Sequence, residues 1–378
     1  MKILIIMAGF FPGKKYGGPP VSIDNFCSLM KEYECYIITH DHDLGESEKY
    51  KGVMSVWNER ENCKVLYVSD SEYNKATFEK VIVDMKPDIV YLQGLFQSCV
   101  LPCLQLARKH RIRVLLAPRG ELCEGALNIR KWGKKPYIEA VKVLGLVKNI
   151  HWQSTSDEET AAITKLMKAK DSHIHRLDNI PSIPKIDYPR REKAVGEGRF
   201  VFLSRIHPKK NLLFAISLFK GIEGKATFDI YGPIEDEVYW QECQEEIKKL
   251  PESVKVEYKG LVSHDQVHEV FSQYDAFLFP TLSENYGHVI AESLMVGTPV
   301  IISDQTPWTD VNNYNTGWAC NLTEEGKFLN AIRHMILLDN NEMEQLSIST
   351  KKFARHKMNL SGLRNEYETA FETVAVKL

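Results

Sequence analysis

Along most of the chain, short apolar runs alternate with longer segments whose apolar residues recur at helical spacing. In the first half, residues 2–8, 35–39, 64–68, 88–93, 112–117 and 151–154 read as strands, and 21–30, 73–85, 99–110, 134–148 and 157–167 as helices between them. Strands that are apolar at nearly every position have both faces covered. The pattern therefore predicts a parallel sheet flanked by helices. It pauses at residues 179–198, where Pro181, Pro184, Pro189, Gly196 and Gly198 stand among many charges. That composition resists regular structure and reads as a linker. The alternation then resumes, with strands at 200–204, 226–231, 254–258, 276–279 and 299–303, and helices at 210–220, 236–250, 263–272 and 287–295. Everything after Thr323 reads as helical, and Leu363, Tyr367, Phe371 and Val374 in the last segment fall at core spacing. The expectation is an α/β protein of two Rossmann-like domains, 1–180 and 199–360, closed by a helix at 361–378 that crosses back to the first domain. Ligands of such sheets bind beyond the carboxyl ends of the strands, so the expected site is a central cleft that both sheets face.

Composition supports this and narrows it. With 378 residues, 44% hydrophobic and 26% charged, the chain is long enough for two cores and too ordinary for a disordered or fibrous class. A formal net charge of −2 gives no global attraction to nucleic acid or anionic lipid, although a local basic face remains open. The eight cysteines form no C-x-x-C pair, which points to reduced thiols rather than zinc or disulfides. The apolar start resembles a signal peptide, but Pro12, Gly13, Lys14 and Lys15 stand where a small-residue cleavage site would be, so a first strand is the better reading. No apolar stretch approaches the roughly 20 residues that cross a bilayer. A cytoplasmic protein is expected.

Three places carry candidate chemistry. After the first strand comes a loop with Gly13, Gly17 and Gly18, followed by Pro19 and Pro20. Glycines there let backbone N–H groups approach an anion at a helix start. The spacing matches neither a dinucleotide fingerprint nor a P-loop, and a plain connection is the alternative. After strand 200–204 come Arg205 and Lys210, two cations suited to a diphosphate or, alternatively, to ordinary surface solvation. After strand 276–279 come Glu284 in a loop and Glu292 in the following helix. Eight helical residues rise about 12 Å, so these carboxylates do not share a proton or a metal. They suit hydroxyl groups at two ends of an extended ligand, with the helix start near Asn285–His288 offering an anion site between them. A polyol–diphosphate–polyol molecule, which is to say a nucleotide sugar, satisfies every element. A helix-start glutamate plus a surface glutamate is the other reading.

These segments resemble the retaining GT-B glycosyltransferases of the GT4 family. The resemblance rests on Phe202-Leu-Ser-Arg205-Ile-His-Pro-Lys-Lys210-Asn-Leu, Tyr231-Gly-Pro and Gly260-Leu-Val. It extends through Phe279-Pro-Thr-Leu-Ser-Glu284-Asn-Tyr-Gly-His-Val-Ile-Ala-Glu292-Ser, Gly297-Thr-Pro-Val-Ile and Thr316-Gly-Trp318. Ala117-Pro-Arg-Gly-Glu-Leu122 with Lys134-Lys135 is similar to the signature of a branch that builds bacterial surface polysaccharides. The resemblance implies a hexosyltransferase that uses a nucleotide diphosphate sugar, UDP-linked, and a glycan or lipid-linked acceptor. Arg205 and Lys210 would hold the diphosphate, Glu284 the donor sugar and Glu292 the ribose. The backbone of Asn285, Tyr286, Gly287 and His288 would contact phosphate and sugar, Gly17 and Gly18 would approach the phosphate, and Leu261 would wall the base pocket. It also implies no cofactor and no metal, the cations and the helix start supplying the positive field. Arg119 stands where many relatives carry histidine. It cannot act as a base near neutral pH, which fits a retaining reaction in which the leaving phosphate takes the acceptor's proton. Arg119 is then expected to touch the acceptor or the sugar's oxygens.

Other features weigh less. Asp41-His-Asp43 has the D-x-D spacing of metal-dependent transferases, but with His40 and His42 it reads as a surface loop. Glu121 and Glu124 border Arg119, either shaping the acceptor pocket or pairing with Arg130 or Lys131. Lys131, Lys134, Lys135, Lys142 and Lys148, with Trp132, Tyr137, Ile138, Val141 and Leu144, suggest either peripheral contact with the inner face of a membrane or a solvated helix packed on its domain. The rival readings are another GT-B enzyme (an epimerase or a phosphorylase) and a catalytically silent sugar-nucleotide-binding module.

Overall fold

The computed structural model describes all residues except Ile129, Arg130, Asn285, Lys377 and Leu378, and the side chains of Ala126, Asn128, Lys131 and Trp132 also lie outside the description. The chain forms two units, Met1–Ile180 with Leu360–Leu378, and Pro181–Asn359. The boundary falls inside the Pro-rich stretch read as a linker.

The first unit holds an eight-stranded sheet. Its strands are β1 (Lys2–Ile6), β2 (Glu34–His40), β3 (Asn58–Glu59), β4 (Lys64–Val68), β5 (Ile89–Gln93), β6 (Arg113–Ala117), β7 (His151–Ser154) and β8 (Ile174–Arg176). Their order is β3-β4-β2-β1-β5-β6-β7-β8, parallel throughout except for β3. β5 is buried at all five positions, as an apolar run between two helix layers should be. The helices start on caps legible in the sequence. Asn74 accepts from the amides of Ala76 and Thr77 at 2.9 and 3.1 Å, and Ser156 accepts from the Glu159 amide at 3.1 Å. Pro19 and Pro20 open the helix Gly18–Leu29, where a missing N–H costs nothing. The helix expected at 134–148 is Lys131–Val143. Its Ile138 and Val141 are buried and Tyr137 packs on Phe96 with ring centroids 5.6 Å apart, so that part of its apolar stripe serves the core and is not offered to lipid.

The helix Leu360–Ala375 belongs to this first unit. Leu363, Tyr367, Phe371 and Val374 pack into a core shared with Ile3, Ile5 and Phe26, and the rings of Phe26 and Phe371 stack at 4.9 Å. Tyr367 also closes a buried polar chain. Tyr91 donates to Gln153, Gln153 donates to the Tyr367 hydroxyl at 3.0 Å, and Tyr367 donates to the Asp178 carbonyl at 2.9 Å. Satisfied networks of this kind fix one arrangement, because any slip strands a buried polar atom.

The second unit holds six parallel strands: β9 (Glu197–Leu203), β10 (Lys225–Tyr231), β11 (Val254–Gly260), β12 (Ala276–Phe279), β13 (Val300–Ser303) and β14 (Gly317–Cys320), in the order β11-β10-β9-β12-β13-β14. The edge strands β3, β8 and β14 were not legible in the pattern, being only two to four residues long. The helix expected at 210–220 is split into a 3₁₀ turn Pro208–Lys210, a helix Leu212–Ser217 and a second 3₁₀ turn Leu218–Gly221. Asn211, left-handed at φ 59°, makes the first break. All eight cysteines are free, seven of them buried. Among the described residues, no helix is long and apolar enough to cross a membrane.

Candidate active site

In the second unit the strand order reverses between β9 and β12. A crevice opens at such a reversal, because the connections from the two central strands leave in opposite directions. The loops after these two strands carry Arg205, Lys210 and Glu284, and they are tied together by backbone. The Leu282 amide donates to the Lys209 carbonyl at 2.9 Å, the Thr281 hydroxyl donates to the same carbonyl at 3.2 Å, and Asn211 donates to the Pro280 carbonyl at 3.0 Å. His207 accepts from the Lys209 amide at 3.1 Å and so caps the turn that ends in Lys210. Lys210 is thereby delivered inward. It is 8% exposed, its ammonium lies 2.5 Å from a Glu284 carboxylate oxygen, and it sits 5.4 Å from the Phe279 ring centroid. A cation this short of water exerts a strong local field.

Arg205 is exposed and donates to Glu235 at 2.6 Å, a carboxylate the sequence reading did not include. Its loop runs against the loop after β10. The Ser204 amide donates to the Tyr231 carbonyl at 3.0 Å and the Ile206 amide donates to the Pro233 carbonyl at 2.8 Å. Gly232, at φ 135°, makes this approach possible, since a Cβ there would lie 1.9 Å from the Ser204 carbonyl oxygen. Gly232→Ala should therefore force the two loops apart and displace Arg205. The expected loss is about 2–3 kcal/mol in stability, read by urea denaturation, together with weaker donor binding. An unchanged midpoint would show that the close approach is dispensable.

The two glutamates face different partners. Glu284 meets Lys210 from the β9 loop, and its amide donates to the Gln305 carbonyl at 3.0 Å. Glu292, 3% exposed on the helix His288–Met295, lies 3.8 Å from the His264 ring nitrogen on the segment after β11. Burial pushes the Glu292 carboxyl above its ordinary range, and the nearby imidazole opposes that. His264 was missed by the sequence reading. It follows Gly260-Leu-Val by two residues, and its position just past a strand's carboxyl end was the available signal. Gly287 precedes the helix at φ 79°, where a Cβ would meet Ile290 at 2.9 Å and Glu284 at 3.2 Å. The N-cap Gly287 has no side chain to cap the first turn of this helix, whose positive dipole end faces outward there. Tyr286 and His288 flank Gly287 with rings 4.8 Å apart, and the Tyr286 carbonyl accepts from the Trp308 indole at 2.5 Å. Asn285 lies outside the described residues. Leu261, 48% exposed, lines a groove of about 350 Å³ with Tyr231, Val262, Gln266, Val270 and Tyr274, at the carboxyl ends of β10 and β11.

Gly17, Gly18 and Arg119 belong to the first unit. Gly17 is left-handed at φ 71° with open space where a Cβ would be, and Gly18 begins the following helix. The loop before them is pinned by Asp43, whose carboxylate accepts from the amides of Lys14, Lys15 and Leu44, while Asp41 pairs with Lys49 at 2.8 Å. The two aspartates, both buried, thus hold the loop in place. Arg119 is turned into its own unit. It donates to Gln93 at 2.8 Å, to Asn179 at 2.7 Å and to the Tyr91 hydroxyl at 3.3 Å, joining the buried network that Tyr367 closes. Each of its three nitrogens has a partner within the unit. Glu121 accepts from the amides of Leu95 and Phe96 at 2.5 and 3.1 Å, bracing the turn after β5.

Residues 186–353 match the family described as glycosyl transferases group 1. An uncharacterised 41.2 kDa protein from the cps region of Klebsiella pneumoniae is 23% identical over 299 residues, spanning 76% of this chain and 79% of its own. Among solved structures, HepE of Anabaena in complex with UDP and glucose aligns over 98% of each chain with a TM-score of 0.70 at 13% identity. Sucrose-phosphate synthase from Thermosynechococcus elongatus aligns over 98% of each chain with a TM-score of 0.67 at 14% identity. These likenesses show the fold, two α/β domains with parallel sheets as in GT-B glycosyltransferases.

Proposed function

We propose that this chain, a glycosyltransferase carrying a group 1 domain, moves a hexose-type sugar from a UDP-linked donor to a glycan or lipid-linked acceptor in bacterial surface polysaccharide synthesis, with retention at the anomeric carbon. The observation that carries this reading is the Lys210–Glu284 pair at the strand-order reversal, followed by a helix that starts on Gly287. One buried cation and one helix dipole converge where a diphosphate would sit, and a carboxylate able to accept from sugar hydroxyls adjoins them. The groove along Leu261 and Tyr231 has the size and the aromatic wall for a base. The UDP and glucose held by HepE support the donor class, and the cps-region relative supports the polysaccharide context.

In this reading the bond from the anomeric carbon to the β-phosphate oxygen breaks, its electron pair staying on that oxygen. Lys210, Arg205 and the start of the helix His288–Met295 stabilise the charge as it develops. The acceptor oxygen bonds to the same face of the sugar and its proton passes to the leaving phosphate. Glu284 orients the sugar hydroxyls and Glu292 holds the ribose. The charge a divalent ion would otherwise supply at the diphosphate comes from these cations.

A thermal-shift panel of UDP-, GDP- and ADP-glucose tests the donor, since a ligand at 100 times its Kd adds about 2.7 kcal/mol of stability. A shift with the UDP sugar alone is expected, followed by release of free UDP only when an acceptor pool is present. UDP binding without turnover on any acceptor would make the protein a binding module instead. No shift with any donor would remove the reading altogether.

A further inference from the structure

Away from the donor-binding residues, the carboxyl ends of β2 and β4 bring together a second set of polar side chains. His40 is the last residue of β2 and His42 follows it by two, while Asp70 lies just beyond β4, which pairs with β2 so that His40 faces Val68. His40 Nδ1 and His42 Nε2 each lie 3.0 Å from the same carboxylate oxygen of Asp70. One donor atom from each of the three residues falls within 4.8 Å of the other two.

An ordinary surface ion pair accounts for part of this cluster only. His42 Nε2 has the geometry of a hydrogen bond to Asp70. His40 Nδ1 does not. It is buried, it lies 3.0 Å from the same oxygen, and it makes no hydrogen bond. Burying an imidazole nitrogen without a partner costs free energy unless something occupies its lone pair. The other nitrogen of His42 is already committed, lying 3.0 Å from the Asp43 carbonyl. A carbonyl can only accept, so Nδ1 carries a proton; the hydrogen bond to Asp70 needs a second proton on Nε2, and a metal bound there would take that proton's place. A backbone carbonyl that fixes the tautomer of a histidine in this way is the usual outer support of a metal-bound imidazole. Around zinc, with bonds of about 2.0 Å, tetrahedral donors sit about 3.3 Å apart. The two 3.0 Å separations here are within a few tenths of that.

We infer that His40, His42 and Asp70 form a binding site for one divalent transition metal of the zinc class. Two imidazole nitrogens and a carboxylate oxygen are borderline donors that suit zinc, cobalt or nickel over magnesium or calcium. Three protein ligands leave a fourth position open to water or another oxygen ligand. The site lies in the first unit, whereas the proposed diphosphate grip lies in the second, so it is independent of the donor reading. It would clip the loop after β2 to the loop after β4.

The test uses the full-length chain, stripped of metal by a chelator. Titration with cobalt(II), followed by its visible ligand-field absorption, should show one equivalent bound and the band of a four- or five-coordinate site, and zinc should displace it. Asp70→Ala is the main variant, because that side chain is 76% exposed and the fold does not depend on it. Losing a direct ligand should weaken cobalt and zinc binding at least as much as losing an outer-shell partner does, which is about 10–100-fold. His42→Ala should do the same. Zinc should raise the melting temperature of the parent protein but not of Asp70→Ala. The inference is overturned if cobalt binds no more tightly than about 1 mM, weaker than any structural zinc site. It is equally overturned if both variants bind one equivalent as tightly as the parent, which would place the metal on other residues.

Discussion

Lys210→Met is expected to lower kcat by about 10²–10³, the range seen when one preorganised donor to a developing charge is removed. The residue is buried, held by a capped turn and backed by the Phe279 ring, so no other cation slides into its place. Removing it also leaves Glu284 without its partner, and breaking a buried pair from one side destabilises by about 3–5 kcal/mol, less here because Glu284 keeps some solvent. Loss of activity and loss of stability must therefore be separated. Lys210→Met with Glu284→Gln removes both charges and should recover most of the stability while staying inactive. Steady-state kinetics and chemical denaturation on both variants check this. A single variant with kcat within threefold of the parent would show that Lys210 does not stabilise the leaving group. A double variant as unstable as the single would show that the cost came from packing.

Glu292→Gln is expected to stabilise the protein at neutral pH while raising KM for the donor. The sign follows from burial. The unfolded chain releases this proton near the ordinary value of 4.5, and the folded chain holds it to higher pH. Between those two points the folded state binds more protons than the unfolded one, so stability falls as pH rises through the window, and the deficit then persists. Glutamine has nothing to ionise and escapes it. The gain from relaxing a functional residue of this kind is about 1 kcal/mol, or about 2–4 °C in Tm for a unit of this size. It should vanish below about pH 4, grow as pH rises through the window above it and then hold constant, in melting curves. The cost appears in binding. A hydrogen bond to a charged group is worth about 1.5–3 kcal/mol, so KM for the donor should rise about 10–100-fold with kcat little changed. A Tm difference that does not vary with pH would sink the stability argument. A fall in kcat at constant KM would move Glu292 from holding the donor to acting on the reaction.

The parts of the molecule that sequence reasoning reached are those in which one residue type answers one physical demand. The central strands β1, β5, β9 and β12 each carry a run of consecutive buried apolar residues because both faces are covered, and those runs could be read directly. Pro19, Pro20 and Pro208 marked element starts for a similar reason. What could not be read depends on partners distant in the chain. Glu235 meets Arg205 across 30 positions, and nothing local to either announces it. Arg119 donates to Tyr91, Gln93 and Asn179, partners up to 60 positions away that nothing in its own segment announces. The pairing of Lys210 with Glu284 spans 74 positions. The sequence offered both residues as ligand contacts and could not show that they first contact each other.

The helix Leu360–Ala375 supplies Tyr367 and Phe371 to a core whose other walls come from the start of the chain. This has a consequence for biosynthesis. During vectorial translation domains ordinarily consolidate in the order in which they emerge from the ribosome. Here the first unit must wait, its apolar seam around Ile3, Ile5 and Phe26 uncovered, until all of Pro181–Asn359 has been made. The second unit is contiguous and can fold while its neighbour is still incomplete. A ribosome that stalls before Leu360 would leave a nascent chain with one finished half and one adhesive half, which is a natural substrate for a holdase chaperone.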